Sequence, residues 1–183
     1  MNTKNTPTLS RRGALKHLVA GSAVMVAPGV VAAKTAPPSR LRFYHTHTGE
    51  HLDALYIDRG EYVSDALSAI SHLLRDHRSG EAAVMDPKLL DFLQQVQSRV
   101  DSDGVFEIIS GYRSSATNQL LRKRGGGVAK RSLHMQGRAI DVRLRGVKTA
   151  DLRKAALSLK RGGVGYYARS DFVHLDTGRV RFW

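Results

Sequence analysis

Not one of the 183 residues is cysteine. That excludes disulfides, thiolate-held metals and a cysteine nucleophile together. Any metal must be held by histidine and carboxylate. Aromatic residues make up 7%, with a single tryptophan, and the basic stretches lack the aromatic interleaving of recognised nucleic-acid modules. No apolar run is both long enough and free enough of Gly and Pro to read as a bilayer span. Acids are also scarce, 16 against 29 Lys and Arg, for a net charge of +13. Such a balance favours a polyanionic partner: nucleic acid, anionic lipid or an acidic cell-wall polymer. What is present in quantity is apolar, 42% of the chain, enough for the core of one domain of this length.

The first 33 residues narrow the choice of partner. "LSRRGALKHLVAGSAVMVAPGVVAAK" has a basic start, a short apolar middle from Leu18 to Val31 and a small-residue end at Val31-Ala32-Ala33. These are the three parts of an export signal. The order Ser10-Arg11-Arg12-x-x-Leu15-Lys16 resembles the twin-arginine signal, which sends folded proteins to the periplasm. A membrane tether follows only if that signal stays uncleaved. Its removal takes four cations and no acid, so the remainder is still basic. Outside the cytoplasm chromosomal DNA is not the available polyanion, and a cell wall is. No nucleic-acid partner is expected.

Residues 34–40, "KTAPPSR", read as a Pro-rich linker, and residues 41–183 as one domain. "LRFYH" and "LDALYI" are two strands of a hairpin around "THTGEH". Apolar spacing at Ala66, Leu67, Ile70, Leu73 and Leu74 predicts a helix starting near Ser64 or Asp65. Asp86-Pro87 supplies a cap and first-turn proline for a second, continuing through Leu89, Leu93 and Val96. "VFEIIS" is a buried strand, and a short helix carries Asn118, Leu120 and Leu121. A glycine-rich basic loop follows over residues 122–131. "AIDVRL" alternates as a strand, Thr149 to Lys160 is a helix stopped by Gly162-Gly163, and "VGYYA" and "FVHLDT" close the chain as strands. The order implies an α+β fold, with helices packed on a mostly antiparallel sheet.

The chemistry concentrates in "SLHMQGRAID", residues 132–141, which holds His134 and Asp141 around Gly137. A third donor, His174, lies on a predicted terminal strand. Two imidazoles and a carboxylate match a zinc site with one position open for water, placed at the sheet surface. The spacing alone is weak, since a His-x6-Asp pair is more often structural. The other histidines read as ordinary polar residues: His45, His47 and His51 in a solvated turn, His72 and His77 on the outside of a helix. A Ser-His-Asp triad lacks the Gly-x-Ser-x-Gly elbow.

The surrounding residues add a resemblance. Ser132-x-His134-x-x-Gly137-x-Ala139-x-Asp141 resembles the first zinc motif of the VanX and D-Ala-D-Ala carboxypeptidase group of zinc peptidases. "SGYRS" (110–114) resembles the arginine motif of that group. "ISGYRS", "GVAK", "RKAALS", "GGVGYY" and "FVH.DTG" are similar to the MepK/YcbK-type exported murein endopeptidases. The resemblance spans most of residues 105–178. It implies Zn2+ held by His134, Asp141 and His174, and hydrolysis of cross-link peptide bonds between the stem peptides of peptidoglycan. It also implies a role for Arg113 in orienting a substrate carboxylate or stabilising an oxyanion. In the related peptidases a glutamate three residues before the last histidine takes the proton; Asp171 holds that position here. Asp176 competes with it from the same strand face as His174. The alternative reading is a non-catalytic exported cell-wall-binding protein with a structural metal site, closed by four protein ligands.

Overall fold

The computed structural model describes residues 37–125 and 127–183. The export signal read in residues 1–33 lies outside the described residues, as do residues 34–36 of the linker. The remaining linker residues do not all stay irregular: the first strand already begins at Ser39.

Among the described residues eight strands form one sheet: β1 (Ser39–His45), β2 (His51–Asp58), β3 (Glu61–Tyr62), β4 (Phe106–Ser110), β5 (Ala139–Leu144), β6 (Gly163–Tyr167), β7 (Phe172–Asp176) and β8 (Arg181–Phe182). Their order across the sheet is β3-β2-β1-β4-β5-β7-β6-β8. Only β1–β4 and β6–β8 pair in parallel; the other neighbours are antiparallel. Among the described residues four helices accompany it: α1 (Ser64–Leu73), α2 (Pro87–Arg99), α3 (Ser115–Lys123) and α4 (Thr149–Leu159). The expected α+β class and mostly antiparallel sheet are therefore what the chain adopts. β3 and β8 escape sequence reading because two residues carry no period.

Local chemistry starts the helices. The Asp86 carboxylate accepts from the Lys88 amide at the head of α2, with Pro87 in its first turn. Ser114 caps α3 through the Thr117 amide at 3.2 Å. α4 ends differently from the sequence expectation. Lys160 itself takes the left-handed conformation at its end, so Gly162 and Gly163 are free for another purpose, given below.

Alternation sorts the central strands into two faces. Ile140, Val142 and Leu144 of β5 and Val173 and Leu175 of β7 are buried in the hydrophobic core, with Phe106, Ile108, Leu41 and Phe43 from the neighbouring strands. Leu89, Leu93 and Val96 of α2 and Leu152 and Ala156 of α4 cover them. Each such buried aliphatic side chain stabilises the fold by roughly 1.5–3 kcal/mol. The opposite face of β5 and β7 carries Asp141, His174 and Asp176. The core therefore fixes the register of a polar face it does not touch.

The histidines of the β1–β2 hairpin need a correction. His45 is fully buried, not solvated, and its Nδ1 accepts the backbone amides of His47 and Thr48. His77, expected on the helix, lies in the turn beyond the end of α1, and its ring stacks on His47 at 3.9 Å. Burial and the neighbouring His47 push the His77 pKa down to about 4.

Gly137 has φ of 66°, ends the 3-10 turn Leu133–Gln136, and presses against the carbonyl of Val84. Any side chain there meets both a disfavoured backbone and a fixed neighbour. Gly137→Ala is expected to destabilise the protein by about 1–3 kcal/mol, read as a lower urea midpoint with an unchanged slope.

Candidate metal centre

The site is assembled by one row of strand pairing. Asp141 on β5 lies opposite His174 on β7, which lies opposite Gly165 on β6. Ser110 of β4 faces Asp141 from the other side. Two residues along, Ala139, Asp176 and Gly163 form a second row on the same face. Small residues in these rows leave room for the large polar ones. A Cβ on Gly163 would run into the Asp176 carboxylate and the Arg181 guanidinium. His134 arrives from the 3-10 turn, not from a strand, and is buried beside them.

The sequence-predicted donors converge. His134 Nε2 and His174 Nδ1 are 3.2 Å apart, His174 Nδ1 and Asp141 Oδ1 are 2.8 Å apart, and His134 Nε2 and Asp141 Oδ1 are 3.3 Å apart. A tetrahedral ion with bonds of about 2.0–2.1 Å holds its ligand atoms about 3.3 Å from one another, so the three donors are near the spacing a shared metal requires.

Each imidazole is also turned the right way. His134 donates its Nδ1–H to the Gly111 carbonyl at 2.7 Å, which leaves a lone pair on Nε2. His174 donates its Nε2–H to Asp176 Oδ2 at 3.0 Å, which leaves Nδ1 to face the other two donors. Outer hydrogen bonds of this kind fix tautomer and ring orientation in metal sites. Among the described residues no fourth His or acidic donor joins the three.

The "SGYRS" segment is explained residue by residue. Ser110 pairs with Asp141, the Gly111 carbonyl orients His134, and the Tyr112 amide donates to the Leu74 carbonyl. The Arg113 amide donates to the His134 carbonyl, and Ser114 caps α3. The Arg113 guanidinium is 9% exposed, 3.6 Å from Asp141 Oδ2 and 3.3 Å from Ser110 Oγ. Its buried Nε has no partner among the described residues. Burial disfavours its charge, and Asp141 opposes that. Beneath the segment lies Asp76, which sequence reading did not single out. Buried at the end of α1, it accepts the Ser114 and Arg78 amides. Burial works to raise its pKa, but these bonds hold the carboxyl well below the usual range.

The two candidate proton carriers part company. Asp171 does not join the cluster. It takes a left-handed backbone at the turn before β7, accepts from the Thr149 hydroxyl at 2.8 Å and faces Arg143 at 3.6 Å, with its side chain largely exposed. Asp176 does join it, but fully occupied. Its Oδ1 accepts from the Gly163 and Gly178 amides and from Arg181, and its Oδ2 accepts from His174 and Arg181. Burial alone would raise its pKa; His174 and Arg181 hold it well below the carboxylate range.

The cluster opens into a cleft of about 410 Å³ bordered by Arg113, Arg131, Ser132, Tyr167 and Trp183. Arg181 and Trp183 were not read as site residues, although the sequence contains only this one tryptophan.

A mixed α+β sheet that presents two histidines and an aspartate to an open cleft defines the class: a protein with a candidate three-ligand metal centre. The chain belongs to the Peptidase_M15_2 family, described as peptidoglycan L,D-endopeptidase MepK, whose family model matches residues 33–183. It is 41% identical over 170 residues to the peptidoglycan L,D-endopeptidase MepK of Escherichia coli K12, covering 93% of each chain. It is 37% identical over 163 residues to a probable MepK of Haemophilus influenzae, covering 87% of this chain and 88% of the relative. No solved structure matches the chain significantly.

The metal-free site has a definite pH signature. Burial lowers the His174 pKa, but its bonds to Asp141 and Asp176 outweigh burial and raise it to about 9 from 6.5. A raised folded-state pKa contributes stability that is complete below about pH 6.5 and is lost as pH rises through about 9. Metal needs Nδ1 unprotonated, so binding competes with that proton. The metal-free melting temperature is expected to fall between pH 6.5 and 9, while the increase on adding Zn2+ grows. Thermal melts with and without zinc across that range check this, and a zinc effect that shrinks with pH would contradict it.

Proposed function

We propose that this chain is an exported, zinc-dependent peptidoglycan endopeptidase that hydrolyses cross-link peptide bonds between murein stem peptides. The observation that carries the reading is the His134–Asp141–His174 cluster, with both imidazoles pre-turned and a cleft in front of it. The relatives' names supply the substrate class. A cell-wall polymer is anionic, and the net charge of +13 suits it. Export by the twin-arginine route to the periplasm rests on Ser10-Arg11-Arg12 and the apolar run after it. Among the described residues no helix is long and apolar enough to cross a membrane.

His134 Nε2, Asp141 Oδ1 and His174 Nδ1 would hold the zinc. Zinc bound there supplies Lewis acidity toward a scissile carbonyl and brings the pKa of water to about 7. The chain's own residues do the rest. Gly111 and Asp176 hold the imidazole protons on the nitrogens that point away from the metal. Arg113, largely desolvated at the border of the cleft, receives a substrate carboxylate or the oxyanion. Asp176 is a positioning residue in this scheme, because all its lone pairs are engaged. Asp171 is left to brace the start of α4 through Thr149.

The L,D designation of the relatives favours one cross-link over the other. A D-alanine–diaminopimelate link joins two D-centres. A diaminopimelate–diaminopimelate link joins an L-centre carbonyl to a D-centre amine, and that is the bond proposed here. The non-catalytic alternative needs a closed site, and Asp176, the nearest further carboxylate, is already saturated by Arg181, His174 and two amides.

Digestion of purified sacculi by the zinc-loaded protein, with the products read by mass, tests the proposal. Loss of diaminopimelate–diaminopimelate dimers is expected. His134→Ala should abolish both zinc binding and hydrolysis with helical content retained, and an active His134→Ala sinks the assignment. Asp176→Asn should weaken zinc binding roughly 10- to 100-fold and recover hydrolysis at saturating zinc. Native zinc affinity with no hydrolysis would instead make Asp176 the proton carrier.

A further inference from the structure

The cleft has a wall that the mechanism above does not use. Trp183 follows β8, and its position is strongly determined. Its indole Nε1 donates to the Tyr167 hydroxyl at 3.0 Å. Its ring lies 5.2 Å from the His174 ring and 5.0 Å from the Arg181 guanidinium. Its backbone pairs on both sides with β6, through Val164 and Tyr166. Gly165 exists in a form that suits it: a Cβ there would stand 2.7–2.8 Å from three atoms of the indole. Tyr167 is braced in turn by Phe172, stacked at 4.6 Å. Despite these contacts Trp183 remains 47% exposed. A ring that only filled the core would be covered. This one is fixed and left open beside a metal ligand.

The two sides of the cleft differ in chemistry. Arg113 borders one side with a largely buried cation whose guanidinium also faces Asp141 and Ser110. Trp183 and Tyr167 present aromatic surface. A ligand that satisfies both has an alkyl body ending in a carboxylate, and diaminopimelate is an alkyl chain with an amine and a carboxylate at each end. D-alanine offers only a methyl group. We propose that Trp183, supported by Gly165 and Tyr167, is a substrate-contacting specificity residue that packs against the methylene chain of the diaminopimelate adjoining the scissile amide. This rests on the murein-peptidase reading, but its test is separable from it.

Because Trp183 is the sole tryptophan, its emission reports on this wall alone. Titrating the zinc-loaded protein with a tripeptide stem ending in diaminopimelate, the expected product, should give a saturable blue shift as the ring loses water. A stem of equal length ending in alanine should need a higher concentration. Trp183→Ala should raise KM for the cross-linked dimer about tenfold with kcat nearly unchanged, the split expected when binding contact alone is lost. Trp183→Phe should recover most of it. Gly165→Ala should reproduce the KM increase with the tryptophan still present, because the added methyl group displaces the indole. An unshifted emission at saturating stem peptide, or a wild-type KM in Trp183→Ala, overturns the proposal, and the titration and Gly165→Ala decide should Trp183→Ala fail to fold. A blue shift in a protein that leaves sacculi intact supports the subsite and contradicts the peptidase reading.

Discussion

Everything at the site depends on one pairing: Asp141 on β5 set opposite His174 on β7. The pair exists because Val142 and Val173 on the other face are locked into the core. A slip of one residue would send both polar groups inward and the valines out, so the hydrophobic pattern enforces the polar register. The result is a buried carboxylate between two imidazoles. Burial would push the Asp141 carboxyl up, yet His134 and His174 hold it well below its ordinary range. Buried charge of this sort persists only where it is paired.

Around that pair the chain arranges a second set of contacts whose purpose is orientation. The Gly111 carbonyl, Asp176 and Arg181 touch no candidate metal directly. Together they decide which nitrogen of each imidazole carries its proton. Arg181 comes from a two-residue strand at the edge of the sheet, and it grips Asp176 at 2.6 and 3.0 Å. The glycines of β6 make the space for this, since a methyl group at Gly163 would occupy the same volume. The edge strand β8 and the glycines of β6 therefore determine how His174 presents itself.

Much of this was legible in the sequence. The period of the helices and the alternation of β5 could be read because each follows a local rule; the three donors, whose spacing alone is weak, were implied by the resemblance. Parity also anticipated which of the two acids lies beside the donors. Asp176 is two residues from His174 and shares its face; Asp171 is three away, across a turn, and ends beside Thr149 and Arg143. What could not be read depends on tertiary placement. The burial of His45, the amides gathered by Asp76 and the wall formed by Trp183 involve partners on other elements, with no period to announce them. Gly162-Gly163 was legible as a break but not as the clearance for Asp176.

The central claim is that His134 Nε2, Asp141 and His174 Nδ1 are the protein's share of an open zinc centre. Zinc-edge X-ray absorption on the loaded full-length protein tests it most directly, combined with a zinc-bound crystal structure. The account predicts one zinc per chain with two histidine nitrogens, the Asp141 carboxylate and a non-protein oxygen, and with His174 bound through Nδ1. A fourth protein ligand, or His174 bound through Nε2 with Asp176 displaced, would contradict it.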